Sequence, residues 1–171
     1  MILIVFGLPG TGKSYFSRKL AEEIGAEYLN TDQVRKEMHL EGQYDQKSKT
    51  RVYDYIRDRL EELTRGEKDV IVDGTFHRIP VRDAFIDRAK KLDQPVAFIE
   101  MKASDQTVEK RMKSEREFSD ADYKIYLQIK YDFEEMPEPH LTLVSEVQPI
   151  DEMLKTAKSY IDAKRANPDT D

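Results

Sequence analysis

The 171-residue chain contains no cysteine, which excludes disulfides and thiolate metal sites. Its histidines, His39, His77 and His140, are scattered and offer no zinc-ligand spacing. No long apolar run is present. The stretch Ile2-Leu3-Ile4-Val5-Phe6 has no basic segment before it and is too short for a signal peptide or a membrane span, so a cytoplasmic location without membrane association is expected. Internal repeats, linkers and low-complexity segments are absent as well. Nor is positive charge in excess: 28 lysines and arginines stand against 34 acidic residues, a net charge of −6. That balance disfavours sequence-blind binding to a nucleic-acid backbone but leaves room for a small basic site. What remains, 39% hydrophobic and 36% charged, suits one domain over 1–171 with a real core and solvated helix faces.

Glycine is scarce at seven residues, yet three of them lie in one stretch, Gly7-Leu8-Pro9-Gly10-Thr11-Gly12-Lys13-Ser14. It fits G-x-x-x-x-G-K-[ST], a phosphate-binding loop. The apolar run before it reads as a strand buried on both faces, and Phe16, Leu20 and Ile24 after it recur at helical spacing. Glycines let the backbone curl so that successive N–H groups face an anion, and the following helix adds the positive end of its dipole. The motif places Lys13 on the β- and γ-phosphates and the Ser14 hydroxyl on Mg²⁺. Leu8, Pro9, Gly10, Thr11, Gly12, Lys13, Ser14 and Tyr15 are therefore the expected nucleotide cradle, with ATP and Mg²⁺ as cofactors.

Strand and helix alternate along the rest of the chain. Gly25 closes the first helix, and Glu27-Tyr28-Leu29-Asn30 reads as a second strand. Thr31 or Asp32 is expected to cap a brief helix ending near His39. A long helix over 48–65 would bury Val52, Ile56, Leu60 and Leu63. A strand over 69–73 follows, then a helix opened by Pro80, and a strand within 95–102. Ser104 caps a helix over about 105–112, and Ser119-Asp120 another with Ile125, Ile129 and Phe133 inward. A strand over 141–144 and a helix from Ile150 precede a polar tail from about 165. Such alternation implies a parallel sheet covered on both faces, with ligands at the carboxyl ends of the strands. That edge collects the phosphate loop, 30–35, 73–76 and 102–105.

Asp73 ends the strand Val70-Ile71-Val72-Asp73, where a carboxylate can orient the Mg²⁺ shell or simply cap a turn. Asp32 and Arg35, three apart, share a helix face. A carboxylate there can take the proton of a hydroxyl attacking the γ-phosphoryl group, and the arginine can hold an anionic part of that acceptor. The same spacing also suits a cap with a surface ion pair. Arg111, Lys113 and Arg116 lie on a charged stretch fit for a lid at about 111–122, or for a solvated helix end. Tyr44, Tyr53, Tyr55, Tyr123, Tyr126 and Tyr131 suit amphipathic packing more than base stacking, and His77 suits a loop near the active edge more than catalysis.

The segments GLPGTGKS, TDQVR, VIVDGTF, VEKRMKSERE and FSDADY together resemble a family of small bacterial P-loop kinases of the polynucleotide-kinase-like type, over about 2–144. The resemblance implies a three-layer α/β P-loop kinase fold with a five-stranded parallel sheet in the order 2-3-1-4-5, ATP as donor and Mg²⁺ as cofactor. It makes Asp32 the general base, Arg35 the arginine on the acceptor's phosphate, and Arg111 a lid arginine near the adenine and phosphates. A second lid arginine is implied about one turn later, where Glu115 stands and Arg116 follows. The favoured acceptor is the 5′-hydroxyl of a DNA or RNA strand, supported by Lys47, Lys49 and Arg51. The alternatives are a small alcohol (sugar, aminoglycoside or sugar nucleotide) or a nucleotide-binding regulatory module with little turnover.

Overall fold

In the computed structural model residues 1–43, 45–66, 68–115 and 120–167 are described, with backbone alone at 114, 115 and 120–123. The elements run β1 (Ile2–Phe6), α1 (Lys13–Ile24), β2 (Glu27–Asn30), α2 (Thr31–Glu37), α3 (Gln46–Thr64), β3 (Val70–Asp73), α4 (Ile79–Lys91), β4 (Val96–Lys102), α5 (Asp105–Glu115), α6 (Asp120–Tyr131), β5 (Leu141–Val144) and α7 (Ile150–Ala166).

The strands form one parallel sheet in the order β2-β3-β1-β4-β5. Every residue of β1 and β3 is buried, which is why β1 and the Val70-Ile71-Val72 stretch of β3 read as apolar runs rather than alternating ones. Alternation along β1 divides the core. Leu3 and Val5 pack with Phe16 and Leu20 of α1 and with Leu154, Ala157 and Ile161 of α7. Ile2, Ile4 and Phe6 pack with Val52, Ile56 and Leu60 of α3 and with Phe85 and Ala89 of α4. The sheet therefore carries helices on both faces, and each strand delivers its last residue to the same edge.

Two local expectations are corrected. The cap of α2 is neither Thr31 nor Asp32 but Asn30, whose side chain accepts hydrogen bonds from the backbone N–H groups of Asp32 and Gln33. Ile125 points outward at 46% exposure, while Tyr126 is 1% exposed. The phase of α6 is set by an amphipathic residue: the Tyr126 hydroxyl donates to Asp105 of α5 at 2.7 Å, so its ring is buried while its polar tip is satisfied.

Gly7 links β1 to the phosphate loop at φ 137°, and a Cβ there would lie 2.3 Å from the Met101 carbonyl oxygen of β4. Alanine at Gly7 is expected to lower unfolding free energy by about 2–4 kcal/mol, from a strained backbone and forced displacement of β4. Denaturant titration of the nucleotide-free protein measures this.

Candidate nucleotide and acceptor site

The phosphate loop turns on Gly10 and Gly12, at φ 77° and 93°. Gly12 is also the N-cap of α1 and offers no side-chain cap, leaving the first N–H groups of the helix available to an anion. Lys13 is buried, and its ammonium donates to the Leu8 carbonyl at 2.7 Å, beside the Thr11 hydroxyl, which donates to the same oxygen at 2.8 Å. Burial pushes the Lys13 pKa down, against the opposing pull of Asp73 and then Asp32. A lysine in this state gains from any anion that enters the loop. Tyr15 is more than half exposed just past it.

Asp73, at the end of β3, is 1% exposed. Its Oδ2 accepts from the Tyr28 hydroxyl at 2.8 Å and from Asn30 Nδ2 at 2.6 Å, while Oδ1 is buried without a hydrogen-bond partner among the described residues. A buried carboxylate oxygen left bare calls for a donor or a cation. Asn30 Nδ2 also lies 3.3 Å from the Ser14 hydroxyl, and its Oδ1 caps α2. One asparagine thus ties together the phosphate loop, the Asp73 carboxylate and the helix that starts with Asp32. Burial, then the neighbouring Asp73 charge, raises the Tyr28 pKa far above that of an ordinary phenol, so the hydroxyl stays protonated and donates. By sequence Tyr28 is assigned only to β2 and Asn30 only to β2 and the ligand edge, with no site role for either; the available signal was that a strand of four residues carries three polar side chains.

Asp32 is exposed in the first turn of α2, on the side where Lys13 feels its charge. Gly74 makes that placement possible: a Cβ on it would lie 2.6 Å from Thr31 Cγ2, so α2 rests directly on the loop after Asp73. Arg35 is turned differently. It is 7% exposed, and Nη1 donates to the Gln43 carbonyl at 2.5 Å, bracing the α2–α3 connection. Arg111 of α5 reaches back to the phosphate loop, with Nη1 3.3 Å from the Gly10 carbonyl and 2.8 Å from the Ser145 hydroxyl. Lys113 pairs with Glu109 on its own helix. Arg116 lies outside the described residues, as do Tyr44 and the side chain of Tyr123.

Beside this edge, a cavity of about 330 Å³ opens between α3 and α4, lined by Lys49, Tyr53 and Arg57 from α3 and His77, Arg78 and Val81 from the other side. The Tyr53 hydroxyl accepts from the Phe76 N–H at 3.3 Å, which joins the cavity wall to the loop after Asp73.

Residues 2–136 match the family described as an AAA domain. The chain belongs to that family. An adenylate kinase isoenzyme 6 homolog from Caenorhabditis elegans is 30% identical to this AAA-domain chain over 77 residues, 42% of this chain and 41% of that protein. The match thus spans about two fifths of that relative's length. Among solved structures, Mycobacterium tuberculosis APS kinase CysC in complex with AMPPNP and APS is similar at a TM-score of 0.77 and 14% identity, over 94% of this chain and 96% of that one. A gluconokinase from Sinorhizobium meliloti 1021 is similar at 0.72 and 18%, over 92% and 89%. At such identities the likeness is one of fold alone. Among the described residues, no helix is long and apolar enough to cross a membrane.

Proposed function

We propose that the chain is an ATP-dependent phosphotransferase that moves the γ-phosphoryl group of ATP to an acceptor hydroxyl. The observation that carries this reading is the position of Asp32: an exposed carboxylate at the edge of the phosphate loop, its helix fastened through Asn30 to both Ser14 and Asp73. A hydrolase needs no side chain to receive an alcohol's proton; a kinase does. In the proposed reaction the acceptor O–H gives its proton to Asp32 as its oxygen bonds the γ-phosphorus. The bond from that phosphorus to the bridging oxygen breaks, and ADP leaves. Lys13 exchanges the Leu8 carbonyl for phosphate oxygens, the N–H groups at the start of α1 face the same charge, and Arg111 holds the Gly10 side of the loop. Arg35 and the lid residue Arg116 are the remaining proposed contacts, to acceptor and phosphates.

The residues also fit a magnesium ion. The bare Oδ1 of Asp73 and the nearby Ser14 hydroxyl form a sparse oxygen set, the kind Mg²⁺ completes with water and nucleotide phosphates. Bound there, the ion would neutralise charge on the transferring phosphoryl group. Tyr28 and Asn30 fix which carboxylate oxygen remains for it. Tyr28→Phe is expected to weaken Mg²⁺ about tenfold, read as the Mg²⁺ concentration that half-restores nucleotide binding, with metal-free nucleotide affinity unchanged. Calorimetric titration with AMPPNP at graded Mg²⁺ checks this.

A compact alcohol is the acceptor best supported. The cavity beside the site has the size of a small-molecule pocket, the net charge is negative, and APS kinase and gluconokinase share the fold. The Asp32–Arg35 spacing favours a second reading, a 5′-hydroxyl on a DNA or RNA strand. Labelled ATP offered with a panel of sugars, aldonic acids, nucleosides, nucleotides and 5′-hydroxyl oligonucleotides separates them. Transfer to small alcohols supports the first reading, and label on oligonucleotide ends alone supports the second. ATP hydrolysis indifferent to every acceptor would contradict both.

A further inference from the structure

Lys49 lines the cavity between α3 and α4, is half-buried, and makes no ion pair among the described residues. A half-buried lysine with no acidic partner beside it leaves its ammonium free to donate to an anion that enters the cavity. Its surroundings sharpen the point. The cavity is lined by three cations, Lys49, Arg57 and Arg78, against one carboxylate, Asp54, and that carboxylate is already paired with Arg57. Arg78 is half-exposed, 3.4 Å from Glu134. His77 lies between the cationic groups: burial, then Lys49 and Arg78, pushes its imidazole below the ordinary range, against the weaker opposing pull of Asp132 and Glu134. Pro80, Val81 and Ala84 make the wall of α4 largely apolar.

The cavity wall is also tied to the loop that follows Asp73. Tyr53 forms part of its wall and bonds the loop that follows Asp73. Its phenol is pushed up to about 12 by burial, and it feels Arg35, Asp32 and Asp73. A molecule seated against Tyr53 therefore lies against the side chain that bonds the loop after Asp73.

We propose that this cavity seats an anionic group of the acceptor, a phosphate or carboxylate borne by a compact alcohol, held by Lys49, His77 and Arg78. The inference rests on the phosphotransferase reading above and narrows it: the acceptor already carries negative charge, with an apolar or planar portion against α4.

Two measurements on the full chain test it, the first without turnover. With the phosphate loop filled by AMPPNP and Mg²⁺, inorganic phosphate is titrated while the His77 imidazole is followed by NMR, its signal assigned by loss in His77→Gln. Phosphate is expected to move that signal and raise its titration midpoint, with roughly tenfold weaker binding in Lys49→Gln, the loss of one charge-assisted contact. A His77 signal that phosphate leaves unmoved, or moves equally in Lys49→Gln, overturns the site. In the second, kcat/KM is compared for matched acceptors, gluconate against glucose and 3′-AMP against adenosine. The charged partner is expected to lead by about tenfold or more, the lead disappearing in Lys49→Gln while KM for ATP holds. Equal use of charged and neutral partners overturns the proposal, as does transfer to oligonucleotides alone with no dependence on Lys49. Phosphate bound at Lys49 in a chain that transfers to no acceptor would sink the kinase reading and leave the anion site standing.

Discussion

Asp32→Ala is expected to lower kcat for phosphoryl transfer by about 10²–10⁴-fold, the usual worth of a positioned general base, with ATP affinity within roughly twofold of the parent. The substitution isolates chemistry because the fold does not lean on this side chain. The cap of α2 is supplied by Asn30, so alanine at Asp32 removes no cap hydrogen bond. What it forfeits in stability is at most a favourable charge near a helix N-terminus, about 0.3–1 kcal/mol. Asn30→Ala should behave differently. It frees α2 from its cap, removes one donor from Asp73 and releases Ser14, so stability and nucleotide binding should fall together. Single-turnover kinetics with labelled ATP and denaturant titration distinguish the two patterns.

Lys13→Ala is expected to separate stability from binding in the opposite sense. ATP affinity should fall by about 10- to 100-fold, the loss of a charge-assisted contact, and transfer by a further 10²–10³-fold as the transition state loses the same cation. The nucleotide-free variant, however, should be no less stable than the parent, because the bare loop holds this ammonium buried against a carbonyl rather than a carboxylate. The sign follows from linkage. A lysine whose folded pKa is lowered binds fewer protons in the folded state over the interval between its folded and unfolded values, so stability rises with pH through that interval. The parent without nucleotide should therefore gain stability on the alkaline side, and Lys13→Ala should lack that rise. Thermal unfolding across pH, with and without AMPPNP, measures both effects.

Much of the architecture was legible from the residues because physics repeats itself there. A strand buried on both faces must be apolar, and β1 and β3 are, up to the carboxylate of Asp73 that ends β3 at the ligand edge; a phosphate loop must curl where only glycine is comfortable, and Gly7, Gly10 and Gly12 do. The order of strands was not in the local pattern, since crossovers of similar length permit several orders, and it came from the resemblance. Capping went astray because Asn30 belongs by pattern to β2 while its side chain serves α2. The face of α6 went astray because Tyr126 is counted as half-polar until Asp105 is seen to receive its hydroxyl. For Arg35 the pattern gives a helix face shared with Asp32; the Nη1 bond to the Gln43 carbonyl across the α2–α3 connection is visible only in the folded chain. Lys49, His77 and Arg78 are brought together only by the packing of α3 against α4, which no window of sequence contains.

Single-turnover partitioning of the γ-phosphoryl group bears most directly on the function. Enzyme in excess over γ-labelled ATP and Mg²⁺ is quenched in the presence of an acceptor panel, and label is divided between inorganic phosphate and phosphate esters. The parent should place most of the label on an anionic alcohol, and Asp32→Ala should bind the same ATP yet transfer almost none. Label appearing only as inorganic phosphate, at one rate with or without acceptor and with or without Asp32, would contradict a kinase built on this loop.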